Sequence, residues 1–173
     1  MDTKIVFCGV GGQGIILLTR FIGEVLTKSG FKVISTESHG MATRGGSVIS
    51  FMKIGNFKSP LIKASDADIA VVLHPDELDR ALFYAKKDAL LIGSNLKKQN
   101  LGVKVVELSK IMENAGINKK FSNMVCAGIL LNIFNVNIED AIKSLEETGK
   151  AYPENIKALK IGYAEGIHVP ATA

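Results

Sequence analysis

The stretch Ile5-Val6-Phe7-Cys8-Gly9-Val10-Gly11-Gly12-Gln13-Gly14 decides the fold. Its first four residues are all apolar, as in a strand covered on both faces. The glycines that follow permit a tight turn and bring backbone N–H groups close to whatever docks there. Beyond them, Ile15, Leu18, Ile22 and Val25 recur at helical spacing and Gly30 closes the pattern, which predicts a helix over 15–28. Residues 31–36 read as a second strand. Strand, helix and strand in about thirty residues make a βαβ unit, whose crossover is almost always right-handed.

A second glycine-rich stretch follows at once: Glu37-Ser38-His39-Gly40-Met41-Ala42-Thr43-Arg44-Gly45-Gly46-Ser47. After it, 48–53 is rich in strand formers, Gly55-Asn56 marks a turn, and 57–62 completes a candidate β-hairpin. Residues 68–73 form another strand of buried type. His74-Pro75-Asp76 then opens a helix to about residue 85, with proline suited to its first turn. Residues 89–93 and 103–108 are two further strands. From Ser109 the pattern turns helical: a short helix at 110–115, a long apolar one at 123–134, one at 137–148 closed by Gly149, and one from Pro153 to about 165. A helix apolar all round belongs inside the domain or at an interface. Residues 168–173 read as a frayed tail. The expected fold is α/β: a three-layer Rossmann-like arrangement with a mainly parallel sheet and a helical C-terminal part, one domain over 1–173.

Composition narrows the function. Hydrophobic residues make up 47% and charged residues 22%, ordinary globular values. The net charge of +4 is modest, and the lysines are scattered in separate pairs, so no nucleic acid is expected as a partner. Cys8 and Cys126 are too few and too far apart for a CxxC pair, a zinc site or an iron–sulfur cluster, and no metal is expected here. Both read as small buried hydrophobes. The N-terminal residues enter a strand at once, with no secretory signal, and no apolar run reaches the roughly 20 residues a bilayer span needs. The expected location is cytoplasmic, with no membrane partner.

Gly9, Gly11 and Gly14 fit the GxGxxG pattern, and Glu37 follows at about the distance where a dinucleotide site places its ribose-binding acid. Three readings stay open: a phosphate-bearing ligand at the loop, glycines that merely let the helix pack on the sheet, and an NAD site. In the second stretch Arg44 suits bidentate capture of a carboxylate or phosphate, or a salt bridge holding the loop. His39 is a weak candidate proton carrier, or a hydrogen-bonding loop residue. Gly40 and Gly46 serve loop geometry. His74 lies at the strand edge where open α/β sheets bind ligands, and also reads as a helix-entry residue. Asn123 reads as the cap of the apolar helix. Asp66 and Asp68 have no third carboxylate nearby and are not read as a metal site.

The two glycine stretches together, Gly-x-Gly-Gly-Gln-Gly and Glu-Ser-His-Gly-Met-Ala-x-Arg-Gly-Gly-Ser-Val, resemble the small (beta) subunits of indolepyruvate:ferredoxin oxidoreductases. More broadly they are similar to the gamma subunits or domains of 2-oxoacid (pyruvate, ketoisovalerate):ferredoxin oxidoreductases. The resemblance covers nearly the whole chain, including Asp66-Ala-Asp-Ile-Ala-Val-Val-Leu73 and Ser122-Asn-Met124. Thr43 stands where members often carry glutamine. The resemblance implies a subunit, inactive alone, of an enzyme that oxidatively decarboxylates an aryl pyruvate, reduces ferredoxin and transfers the acyl group to coenzyme A. It implies no cofactor bound by this chain alone. Thiamine diphosphate, Mg2+ and 4Fe-4S clusters would belong to a large alpha subunit, the expected partner, with ferredoxin engaged through the holoenzyme. The isolated chain is a candidate homodimer. The binding residues expected on this basis are Gly9, Gly11, Gly12, Gln13, Gly14, Ser38, His39, Gly40, Arg44, Gly45, Gly46 and Asn123. The first loop and Arg44 would hold a diphosphate-bearing ligand such as coenzyme A, while the apolar helix and the second loop would dock on the large subunit. The alternatives are a stand-alone NAD(P)-binding protein and a purely structural interaction module.

Overall fold

The computed structural model describes residues 2–37, 45–96 and 102–166. Strand β1 (Thr3–Val10) leads through the first glycine loop into helix α1 (Ile15–Lys28) and strand β2 (Val33–Glu37). Strand β3 (Ser47–Ile54) precedes β4 (Ala67–Val72), a 3-10 turn at Pro75–Glu77, α2 (Leu78–Tyr84) and β5 (Ala85–Gly93). Then come β6 (Lys104–Glu107), α3 (Leu108–Asn114), a second 3-10 turn at Lys119–Phe121, α4 (Ser122–Ile133), α5 (Ile138–Glu147) and α6 (Pro153–Ala164). None of these helices is long and apolar enough to cross a membrane.

The six strands form one sheet in the order β2-β3-β1-β4-β5-β6. β1, β4, β5 and β6 pair in parallel, whereas β3 runs antiparallel between β1 and β2. Two expectations change here. β1, α1 and β2 are a split βαβ unit, because β3 occupies the place beside β1. The hairpin over 48–62 is absent: both edges of β3 are already taken, with Val6 opposite Phe51 and Thr36 opposite Phe51 on the other side. Residues 57–62 form no strand; Ile62 instead packs beneath the sheet.

Alternation along the strands sends residues to two unequal cores. Ile5 and Phe7 of β1, Ile69 and Val71 of β4 and Leu90 and Ile92 of β5 face α1, α3, α4, α5 and α6. Val6, Cys8, Ala70, Val72, Ala89 and Leu91 face the other way, onto α2 and Ile62. The apolar helix α4 belongs to the larger core: Ser122 through Leu131 are all buried. Its partner is α6. Gly128 lies against the backbone of Leu159 and Tyr163, and Gly162 against that of Val125, where any Cβ would collide. The docking role expected of this helix is thereby corrected, since its own chain covers it. Its N-cap is Phe121 rather than Asn123; the Asn123 side-chain Oδ1 accepts from Met124 N–H at 2.9 Å, inside the first turn.

Candidate functional site

The carboxyl ends of β1 and β4 mark the place where the connections diverge, β1 toward α1 and β2, β4 toward α2 and β5. Open α/β sheets bind ligands in such a crevice. The first glycine loop forms its wall. Gly12 and Gly14 have φ of 98° and 77°, a left-handed backbone that other residues rarely adopt. A Cβ on Gly9 would meet the side chains of Ile15 and Gln13, and one on Gly14 would meet the Asn123 side-chain amide. Sequence-distant Asn123 therefore sits directly on the loop.

Gln13 clamps this loop. Its Oε1 accepts from Val10 N–H at 2.9 Å and its Nε2 donates to the Leu73 carbonyl at 2.7 Å, tying the end of β1 to the end of β4. The second glycine stretch joins the first at its far end: Gly11 N–H donates to the Gly46 carbonyl at 2.8 Å, and Gly45 N–H to the Gly11 carbonyl at 3.3 Å. Gly11 and Gln13 thus use their own N–H groups internally. Those of Gly12, Gly14, Ile15, Ile16 and Leu17 meet no acceptor among the described residues, and no described side chain caps that helix. Beside them lies a hollow of about 290 Å³ lined by Gly11, Gly12, Gly14, Ile16 and Val48. Free amides at the positive end of a helix dipole favour an anion.

Of the expected binding residues, Gly9, Gly11, Gly12, Gln13, Gly14, Gly45, Gly46 and Asn123 gather at this one edge. Ser38, His39, Gly40 and Arg44 lie outside the described residues. Glu37, read as a ribose-binding acid, is held instead by a bidentate bond from Arg20 of α1, Nε and Nη2 each 3.0 Å from a carboxylate oxygen. This bond raises the guanidinium pKa further above its ordinary value. β3 also intervenes between the strand that carries Glu37 and β1, so the dinucleotide geometry is not reproduced. His74 does enter the 3-10 turn, its Nδ1 accepting from Asp76 N–H at 3.3 Å. The sequence reading missed Arg20 and the Leu73 carbonyl; a glutamine among glycines was the available signal for the latter.

Cys8 and Cys126 lie in different cores on opposite faces of the sheet. Burial pushes the Cys8 thiol up to about 12 and raises that of Cys126 as well, so neither is poised as a thiolate. Asp66 and Asp68 lie at the opposite edge, paired with Lys4 at 2.6 Å and Lys86 at 2.5 Å respectively.

The sequence profile described as "Pyruvate ferredoxin/flavodoxin oxidoreductase" matches residues 4–165. The chain belongs to this family. The "Indolepyruvate oxidoreductase subunit IorB" of Archaeoglobus fulgidus is 32% identical, over 96% of each chain. Among solved structures, pyruvate oxidoreductase subunit PORC of Thermotoga maritima shares the fold at TM-score 0.72 and 20% identity, covering 94% of this chain and 96% of that one. The 2-oxoglutarate:ferredoxin oxidoreductase of Magnetococcus marinus, solved with 2-oxoglutarate, coenzyme A and succinyl-CoA bound, gives TM-score 0.78 at 18% identity. There the match covers 95% of this chain but 31% of the longer one. The resemblance carried by the two glycine stretches and these family relations agree.

Proposed function

We propose that this chain is the small subunit of an indolepyruvate-type 2-oxoacid:ferredoxin oxidoreductase. The holoenzyme would convert an aryl pyruvate and coenzyme A to acyl-CoA and carbon dioxide, with ferredoxin taking the electrons. The observation that carries the substrate branch is the relation to IorB along 96% of both chains. Thiamine diphosphate, Mg2+ and 4Fe-4S clusters would reside in a large subunit and supply decarboxylation and electron transfer. The residues here fit that division, because the two thiols are buried in separate cores and cannot jointly ligate a cluster.

This chain's own part is to bind and to shape. The open amides of Gly12, Gly14 and α1 would take the diphosphate of coenzyme A, with Arg44 as counter-charge. Gln13 would hold the loop at the β1–β4 junction so that those amides stay aimed at the ligand. The second glycine stretch, joined to the first through Gly11 and Gly46, would carry contact with the large subunit back to the ligand.

Co-expression with the large subunit tests the reading. Indolepyruvate-dependent ferredoxin reduction should require both proteins, and each alone should be inert. Coenzyme A titrated into the complex should bind about tenfold more weakly after Arg44→Ala, as expected for loss of one charge-assisted contact. Turnover by either protein alone would overturn the subunit role. Equal affinity in wild type and variant would overturn the ligand role.

A further inference from the structure

We infer a second anion site, built for a phosphate monoester, in the polar cleft on the other side of Gln13 from the glycine-loop hollow. The cleft is about 290 Å³ and opens at the carboxyl edge of β1, β4 and β5. Gln13, His74, Ser94, Lys119 and Ser122 line it, from four separate stretches of the sequence.

The signal is unspent bonding capacity in a partly open cleft. Ser94 is 5% exposed, and its hydroxyl has no hydrogen-bond partner among the described residues. Buried hydroxyls are paired in most proteins, so an orphan one in the wall of a polar cleft leaves unused bonding capacity there. Ser122 is 8% exposed, and among the described residues its hydroxyl makes no hydrogen bond either. Lys119 is exposed at the mouth and forms no ion pair among the described residues. His74 Nδ1 accepts from Asp76 N–H, which places the proton of the neutral ring on Nε2 as a further donor. Gln13 spends one amide hydrogen on the Leu73 carbonyl and keeps the other.

The site is also held in shape. Ser94 N–H donates to the Val72 carbonyl at 3.1 Å, and Asn95 adopts a left-handed φ of 55°. The Glu107 carboxylate fixes that turn by accepting from Asn95 N–H at 2.9 Å and from the Ser109 hydroxyl, so its charge is bound behind the turn. Among the described residues no carboxylate lines the cleft; Asp76 lies outside it, with an oxygen 3.7 Å from His74 Nδ1. Hydroxyl, amide, imidazole and ammonium donors converging from several sides suit a group with three terminal oxygens better than a planar carboxylate. Such a phosphate could be free, or it could be the 3′-phosphate of coenzyme A held by the neighbouring loop, a source that rests on the proposed function.

Calorimetric titration of the full-length chain with inorganic phosphate, coenzyme A and dephospho-coenzyme A tests this. Phosphate should bind saturably, and Lys119→Ala and Ser94→Ala should each weaken it by roughly tenfold. Ser94→Ala should leave the thermal midpoint unchanged or higher, which a merely structural hydroxyl would not do. Competition of phosphate with coenzyme A, together with weaker binding of dephospho-coenzyme A, would assign the site to the cofactor's phosphate. Binding of phosphate alongside coenzyme A would assign it to a free phosphate. Absence of saturable phosphate binding, or binding that ignores both substitutions, overturns the site. That failure is separable from failure of the coenzyme A reading, which is scored by Arg44→Ala.

Discussion

The two edges of this sheet spend their polar groups differently. At the amino end of β4 the charges are committed: Asp66 to Lys4, and Asp68 to both Lys86 and the Lys4 N–H, the last at 2.8 Å. At the carboxyl end, amides of Gly12 and Gly14, hydroxyls of Ser94 and Ser122 and the Lys119 ammonium are left without partners among the described residues. Pairing at one edge builds stability. Lack of pairing at the other costs stability and leaves capacity for a ligand. Substitutions at the two edges should therefore separate along that line.

The largest effect is expected where the binding edge is also tightly packed. Gly14→Ala forces a side chain into a left-handed backbone and against the Asn123 amide. The combined cost should be about 3 kcal/mol, or roughly 10 °C in midpoint for a chain of this size. Gly12→Ala has the backbone penalty alone, because nothing lies within 4 Å of its Cβ position, and should cost about 1 kcal/mol. Thermal unfolding followed by circular dichroism would measure both. Equal losses would mean that Asn123 does not rest on the loop.

Next comes the paired edge. Asp68→Ala removes an acceptor from a backbone amide and from Lys86, whose pKa is raised chiefly by its hydrogen bond to Asp68. The Lys86 side chain is 35% exposed, so solvent screens the ion pair and the loss should be about 2 kcal/mol. Lys119→Ala, at the unpaired edge, should stay within about 0.5 kcal/mol. Urea midpoints at constant slope provide the comparison. A loss at Lys119 matching that at Asp68 would erase the contrast between the edges.

The contrast was partly legible in the sequence. Residues 5–28 read correctly as strand, glycine loop and helix because local periodicity and glycine placement settle such a unit without tertiary help. The pairing partner of β3 could not be read this way. Residues 47–54 suit a strand in any position, and only the closed sheet reveals that it separates β1 from β2. The apolarity of α4 was equally two-sided, since an interface helix and a core helix share that pattern. What decides between them is Gly128 and Gly162, 34 positions apart, meeting each other's helix backbone. The polar cleft was less accessible still. Its polar lining residues come from four stretches of sequence, and the informative property, a hydroxyl at Ser94 with no partner among the described residues, exists only in the folded chain.

The smallest expected effect follows the paired character along α1, away from the binding edge. Glu24 Oε1 accepts from Lys28 Nζ at 2.8 Å and from the Ser144 hydroxyl at 2.9 Å, joining α1 to α5. These bonds, that from Lys28 first, hold the Glu24 carboxyl below its ordinary value of 4.5. A carboxyl depressed on folding binds fewer protons in the native than in the unfolded chain, so its contribution is fully present above pH 4.5 and declines as pH falls through the lower folded value. The Glu24 side chain is 40% exposed, so that contribution should be no more than about 0.5 kcal/mol and should shrink with added salt. Glu24→Gln should accordingly lower the urea midpoint slightly at neutral pH, and the two curves should converge as Glu24 protonates in acid. A difference that persisted unchanged below that range would locate the Glu24 effect in packing between α1 and α5 and detach this helix from the charge-paired part of the molecule.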